Sequence, residues 1–328
     1  MTSLAAAEVA RGALAALTDD RGQRAFISAL ERALERALAG VDPRARALAL
    51  APNAKRVRPR LLCELACALG VDADDDATVR AALAIELIHT ASLIHDDVID
   101  VAATRRGLPS VNAELGNAAA VLVGDEVLCR ALEALGPVQG GALLGPCIAA
   151  VAAMTRGALR EIEANGALAL DDDAWRAIAA DKTGALFGLC GTLAALLARD
   201  HERLARFTEG ARALGVAFQA ADDVADLADG TDLDEKNPNL AVLCAARADP
   251  ALRARLLAAW ARPRLPAEER AQLVRELLAS PGVPQALAIA DAALAQARAA
   301  FGDDTTRPGV RRALAAGEGF LAHARRTR

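Results

Sequence analysis

The chain has 328 residues, 54% apolar but only 2% aromatic with no Tyr, and a formal net charge of −5 at pH 7. That length allows one large domain or two smaller ones. The acidic balance and the scarcity of rings argue against nonspecific nucleic-acid binding, which needs clustered cations and stacking faces.

A core that must be built from Ala, Leu and Val favours helix, because Ala and Leu are the best helix formers. Apolar residues recur at three- and four-residue spacing over long windows, and no period-two alternation competes, so the expected fold is all-α. Most of the Pro fall between helical windows, as at Pro43, Pro52, Pro109, Pro263 and Pro281. At the start, Met1 to Ala10 contains Glu8 and lacks a basic region followed by an apolar core, so no signal peptide is read. Residues 1–20 are expected to be loosely ordered. The segment Asn53-Ala54-Lys55-Arg56-Val57-Arg58-Pro59 then places three positive charges in four residues, just ahead of a helix predicted over Leu61 to Leu69. Within that helix Cys63 and Cys67 could share a metal or fill the core, and core filling is the preferred reading. Six singly placed Cys, at 63, 67, 129, 147, 190 and 244, suit a reducing cytoplasm.

The next apolar helix ends in Asp96-Asp97-x-x-Asp100, and the same pattern returns far downstream as Asp222-Asp223-x-x-Asp226. Helical spacing puts the first and third carboxylates of each motif one turn apart on one face. Asp pairs at 19–20, 74–75, 75–76, 171–172, 172–173 and 303–304 lack the third Asp and read as loops or helix N-caps. Six acids cannot be held close together without cations. Mg2+ takes oxygen ligands and bridges protein carboxylates to substrate phosphates, so the paired motif predicts a site that grips a diphosphate through Mg2+. Cations stand at helix ends around it: Lys55 and Arg58, then Arg105 and Arg106 before a turn at Gly107, then Lys182-Thr183 opening the apolar run Gly184 to Leu197. Backbone N–H groups at helix ends favour phosphate, Arg forks match its oxygens and Lys adds a point charge. The longest uncharged stretch, Ala134 to Thr155, is broken by Pro137, Gly140, Gly141, Gly145 and Pro146. It leaves too little helix to span a bilayer, so no transmembrane segment is expected and a central buried helix is predicted there.

The segment from Glu86 to Leu128, ELIHTASLIHDDVIDVAATRRGLPSVNAELGNAAAVLVGDEVL, resembles the trans-isoprenyl diphosphate synthases (polyprenyl synthetases), the long-chain members in particular. AKRVRP at 54–59, DKTGALF at 181–187 and FQAADDVAD at 218–226 follow in family order, so the resemblance extends over nearly the whole chain. It implies a single domain over residues 1–328, a helical bundle around a deep cavity, usually a homodimer. Its substrates would be isopentenyl diphosphate and an allylic diphosphate, joined with the help of three Mg2+ ions. Asp96, Asp100 and Asp222 would ligate Mg2+ directly, with Asp97, Asp223 and Asp226 in the same acidic cluster. Arg105 and Lys182 would hold the allylic diphosphate. Lys55, Arg58, His89 and Arg106 would hold that of isopentenyl diphosphate, and Thr183 and Gln219 would face the reacting carbons. Ser92 and Ala91, four and five residues before Asp96, with Ile88 one turn deeper, would line an elongation channel. Where bulky aromatics at the first two positions would stop it, small ones leave it open to products of C20 or longer.

Three departures from the family pattern stand out. Asn53-Ala54 replaces the usual Gly-Gly, Glu161 stands where Gln is expected, and the stretch LADGTDLDE after Asp226 is short and lacks a Gly-Lys element that helps hold the allylic diphosphate. Lys236 matches a later family lysine within EKNPNLAVL. Two rival readings share the fold. A class I terpene cyclase would carry a different second metal motif and an aromatic cavity; a non-catalytic regulatory subunit would have no use for two complete acidic motifs.

Overall fold

A computed structural model describes residues 21–326; the Asp19-Asp20 pair and the N-terminal segment read above lie outside them. Sixteen α-helices account for most of the described chain. The first six are α1 (Arg21–Ala37), α2 (Pro43–Ala49), α3 (Val57–Ala68), α4 (Asp76–Ile99), α5 (Val111–Leu115) and α6 (Asn117–Leu135). The middle of the chain forms α7 (Leu144–Ala164), α8 (Asp172–Ala179), a π-helical turn (Ala180–Gly184), α9 (Ala185–Leu197) and α10 (Leu204–Asp226). Then follow α11 (Thr231–Glu235), α12 (Leu240–Ala248), α13 (Pro250–Trp260), α14 (Ala267–Ala279), α15 (Gly282–Phe301) and α16 (Pro308–Ala324). The single departure from helix pairing among the described residues is a two-residue hairpin, β1 (Thr104–Arg105) with β2 (Leu108–Pro109). Its turn residues Arg106 and Gly107 both have positive φ, 52° and 79°, as a tight two-residue hairpin turn requires.

The bundle is organised around α4 and α10, whose C-terminal ends carry the two acidic motifs. α4 packs on α6 and α3, and α10 packs on α15, α9 and α16. Ala, Leu and Ile bury α4 on most of its circumference, Ala81, Ala82, Ala84, Ile85 and Leu87 being inaccessible. Close approach of α9 to α10 depends on Gly191, where an added Cβ would lie 2.0 Å from the Phe207 carbonyl oxygen. The scarce rings are used at a few contacts: Phe207 meets Phe301 edge-on at 5.4 Å, and Phe218 bridges Phe187 and Phe320. Two of the Asp pairs cap helices as expected, Asp75 accepting from Thr78 N on α4 and Asp171 from Ala174 N on α8.

Several expectations are corrected. The helix after Lys55 starts at Val57, not Leu61, so Arg58 is wound into its first turn; Pro59 is tolerated there because first-turn N–H groups have no intrahelical acceptor. The stretch 134–155 is not a central buried helix. It breaks near Gly140, and α7 buries Cys147, Ala150 and Gly157 while exposing Ile148, Leu159 and Ile162. Cys63 is buried as a core filler, but Cys67 is exposed. Among the described residues one single helix, Asp76–Ile99, is long and apolar enough to cross a membrane; two thirds of its apolar window (67%) is buried against the rest of the bundle.

Candidate active site

The ends of α4 and α10 face a cavity of about 770 Å³. Asp96 and Asp100 line one wall and Asp222 another. These are the three acids expected to ligate metal, and helical geometry explains the selection. Their motif neighbours at Asp97 and Asp223 are turned by about 100° per residue into the protein. Asp97 accepts from Arg105 Nε at 2.6 Å and Nη2 at 2.5 Å. Asp223 accepts from Trp175 Nε1 (3.1 Å), Leu240 N (2.7 Å) and Gln219 Nε2 (2.8 Å). The inward acids thus brace the walls: Asp97 fixes an arginine, and Asp223 ties α10 to α8 and α12. Asp226, at the end of α10, lies outside the cavity lining.

Lys55, Arg58, Arg105, Arg106, His89, Lys182, Thr183 and Gln219 all line the cavity, as do Ile88, Ala91 and Ser92. Arg58 Nη1 lies 3.2 Å from His89 Nε2 and its guanidinium sits 5.1 Å over the Phe187 ring. Burial, then Arg58 and Arg106, hold His89 well below the usual imidazole range, so it is neutral and Nε2 accepts from Arg58. Thr183 donates to Gln219 Oε1 at 2.6 Å. The Asn53 substitution has a structural use, since its Nδ2 donates to the Arg106 carbonyl at 3.1 Å and steadies the hairpin turn. Arg56, between the two expected ligands, is instead neutralised by Glu86 (2.5 Å) and Glu31 (2.9 Å). Lys236 does not reach this cavity. It lies in left-handed backbone at the end of α11 and lines a separate cleft with Trp260, Arg264 and Arg270.

The structure adds acids that pattern reading did not single out. Asp232, on α11, accepts from Asn239 and Asn237, and its charge helps raise Asp222. Glu235, the last residue of α11, is pushed up to about 7 by desolvation, then by Asp100 and Asp232. Their only sequence signal was the Asp-rich loop after the second motif, where shortness drew attention to what is missing. Burial likewise raises Asp96 and Asp100, and raises Asp222 to about 6, with Lys182 the main compensating charge for the first two. Carboxylates held in an apolar wall with too little countercharge fit a divalent cation. Among the described residues no three His, Cys, Asp or Glu are gathered as a closed ligand set. Ions bound here would complete their shells with water and substrate oxygens, as Mg2+ does.

Two aspartate walls, flanking cations and an apolar shaft inside an all-α bundle define an isoprenoid-synthase type of fold. The polyprenyl synthase of Caulobacter crescentus CB15, solved with calcium and isoprenyl diphosphate, shares it: TM-score 0.76, 26% identity, 90% of this chain and 97% of that one. Residues 45–277 match the family model of the polyprenyl synthetases, and the chain belongs to that family. It is 34% identical over 213 residues to the octaprenyl diphosphate synthase of Haemophilus influenzae, covering 62% of this chain and 64% of that enzyme. Similarity to the nonaprenyl diphosphate synthase of Mycobacterium tuberculosis is 34% over 259 residues, 74% of this chain and 75% of the relative. The chain therefore spans a little under two thirds of the Haemophilus enzyme's length in that match.

Proposed function

We propose that this protein is a Mg2+-dependent trans-polyprenyl diphosphate synthase, a prenyltransferase that condenses isopentenyl diphosphate with an allylic diphosphate to give C20 or longer products. The observation that carries it is that Asp96 and Asp100 of α4 and Asp222 of α10 line one cavity, together with Ser92, Ala91 and Ile88. The whole chain acts as one catalytic unit in the cytoplasm, a compartment that suits six free cysteines. It works as a homodimer, supported by the outward apolar faces of α6 and α7 at Leu122, Ile148, Leu159 and Ile162.

When bound, Mg2+ supplies the positive charge that stabilises the departing diphosphate. The chain's own groups set the rest. Asp96, Asp100 and Asp222 would hold the ions, while Lys182 and Arg105 steady the allylic diphosphate as its C–O bond ionises. Lys55, Arg58 and Arg106, with neutral His89 behind them, seat the second diphosphate so that its double bond faces the allylic carbon. Thr183 and Gln219, already hydrogen-bonded, offer dipoles rather than a nucleophile near the cation. Leu128, Val151, Met154 and Phe218 line the apolar part and exclude water, which would quench it. The released diphosphate can take the proton lost when the new double bond forms.

The test is incorporation of radiolabelled isopentenyl diphosphate into lipid-soluble product. Wild type should incorporate label with Mg2+, and Asp96→Ala or Asp222→Ala should lower turnover by about 100-fold or more. No incorporation by wild type would remove the synthase reading, because a cyclase or a regulatory subunit consumes no isopentenyl diphosphate.

A further inference from the structure

Lys182, the main compensating charge for Asp96 and Asp100, is itself engaged by another carboxylate of the chain. Its Nζ donates to Glu161 Oε2 on α7, with both side chains half-buried. The contact is built into the packing. Gly157, one helical turn before Glu161, lets α7 lie so close to the π-helical turn that a Cβ there would fall 2.4 Å from Lys182 N. Glu161 therefore emerges on the face that meets Lys182. The lysine stands on a partition, lining both the main cavity and a side pocket of about 20 Å³ whose walls include Glu161, Asn237 and Asn239. Glu161 belongs to the side pocket and not to the main cavity. Burial alone would lower Lys182, but Glu161, then Asp96 and Asp100, keep it above its ordinary value and charged.

Chemistry makes this pairing consequential. A carboxylate binds an ammonium through a charge-assisted hydrogen bond, about twice as strong as the neutral one that Gln, expected at this position, would make. The loop after Asp226 lacks the Gly-Lys element that could share the load, and position 237, beside the side pocket, is Asn. Arg105, the other cation facing this side, is held by Asp97.

We propose, resting on the diphosphate-binding reading of this cavity, that Glu161 is a positioning residue that draws Lys182 toward the side pocket, so that an entering diphosphate must displace this carboxylate to engage the ammonium. Affinity for the allylic diphosphate is thereby set by a competition written into α7, and removing the carboxylate releases Lys182.

A double-mutant cycle on the full chain reads this without turnover. With the second site filled by saturating isopentenyl diphosphate, inorganic diphosphate is titrated calorimetrically, in EDTA, into wild type, Glu161→Gln, Lys182→Ala and the double variant. Glu161→Gln should bind about tenfold tighter, the size of exchanging a charge-assisted for a neutral hydrogen bond. In the Lys182→Ala background the same change should give no gain. In the condensation assay, Glu161→Gln should lower KM for the allylic substrate and leave that for isopentenyl diphosphate unchanged. Equal or weaker binding by Glu161→Gln overturns the proposal, as does a gain that persists without Lys182, which would mark simple removal of a repulsive charge. Glu161→Ala repeats the cycle should the Gln variant fold poorly. Failure of the synthase reading would appear separately, as wild type that binds diphosphate and incorporates no label.

Discussion

Asp222 and Asp223 are chemically identical neighbours whose environments assign them different work. Asp222 faces the cavity and the charge of Asp232, whereas Asp223 is buried among three donors from α8, α10 and α12. Burial raises both, Asp222 to about 6 and Asp223 to about 7, from an unfolded value of about 4. Between those limits the folded, metal-free chain holds protons that the unfolded chain has released. The stability these groups contribute is therefore fully present below pH about 4 and is lost as pH rises through 6 to 7. The melting temperature of metal-free protein should accordingly fall between about pH 4 and 7, and Mg2+ with inorganic diphosphate should reverse the fall at the upper end. Asp223→Asn should flatten the metal-free profile. A metal-free melting temperature that climbs across this window, measured by calorimetry, would contradict the assignment.

The elements that matter most are those where helices touch without side chains between them. α7 meets the π-helical turn at Gly157, and the turn itself presents Lys182 and Thr183 to the cavity. Single π-turns inside helices occur frequently at functional sites, where the extra residue re-aims side chains. Gly157→Ala would force a methyl group against backbone, which has no rotamer by which to yield. It should cost about 1–3 kcal/mol in stability and, by shifting Lys182, lower turnover toward ~100-fold. Gly145→Ala, earlier on α7 with nothing within 4 Å of the new methyl, is the control and should leave both unchanged. Equal effects of the two substitutions in denaturant melts and steady-state assays would show that the close contact is not what the turn depends on.

The assembled bundle decides product length and association. Ala91 and Ser92 line the cavity beside Ile88, and one helical turn of ~5.4 Å matches about one isoprene unit. Ala91→Phe should fill the shaft and shift products toward C15–C20, read by chromatography of dephosphorylated products. A long product unchanged by that ring, or a wild type stopping at C15, would mean that a different helix limits growth. On the outside, Ile148, Leu159 and Ile162 share one face of α7, and Leu122 on α6 is 69% exposed. Leu122→Glu with Leu159→Glu should convert a dimer to monomers in sedimentation velocity, because two buried charges per protomer would have no partners. A dimer that survives both changes would place its interface elsewhere.

Residue spacing alone carried the all-α class and the two aspartate motifs, since helical periodicity is local and each motif lies within one helix. The flanking cations were legible from their place at helix ends, resemblance to a known family added His89, Gln219 and the small residues of the shaft, and the structure gathers them around one cavity. Spacing could not tell Asp222 from Asp223, because which neighbour turns inward depends on α8 and α12 packing from outside the motif. Nor could it place Lys236, which backbone at φ 59° carries into another cleft, or pair Glu161 with Lys182 across α7. The stretch 134–155 read as buried from its lack of charge, yet apolar residues also face outward where a second surface would cover them. Asp232 and Glu235 gained their place only from tertiary neighbours, Asp232 through Asn237, Asn239 and its charge on Asp222, Glu235 through Asp100 and Asp232. Sequence specifies contacts along one helix; contacts between helices, and therefore charge environment and the choice of inward side chain, exist only once the bundle has closed.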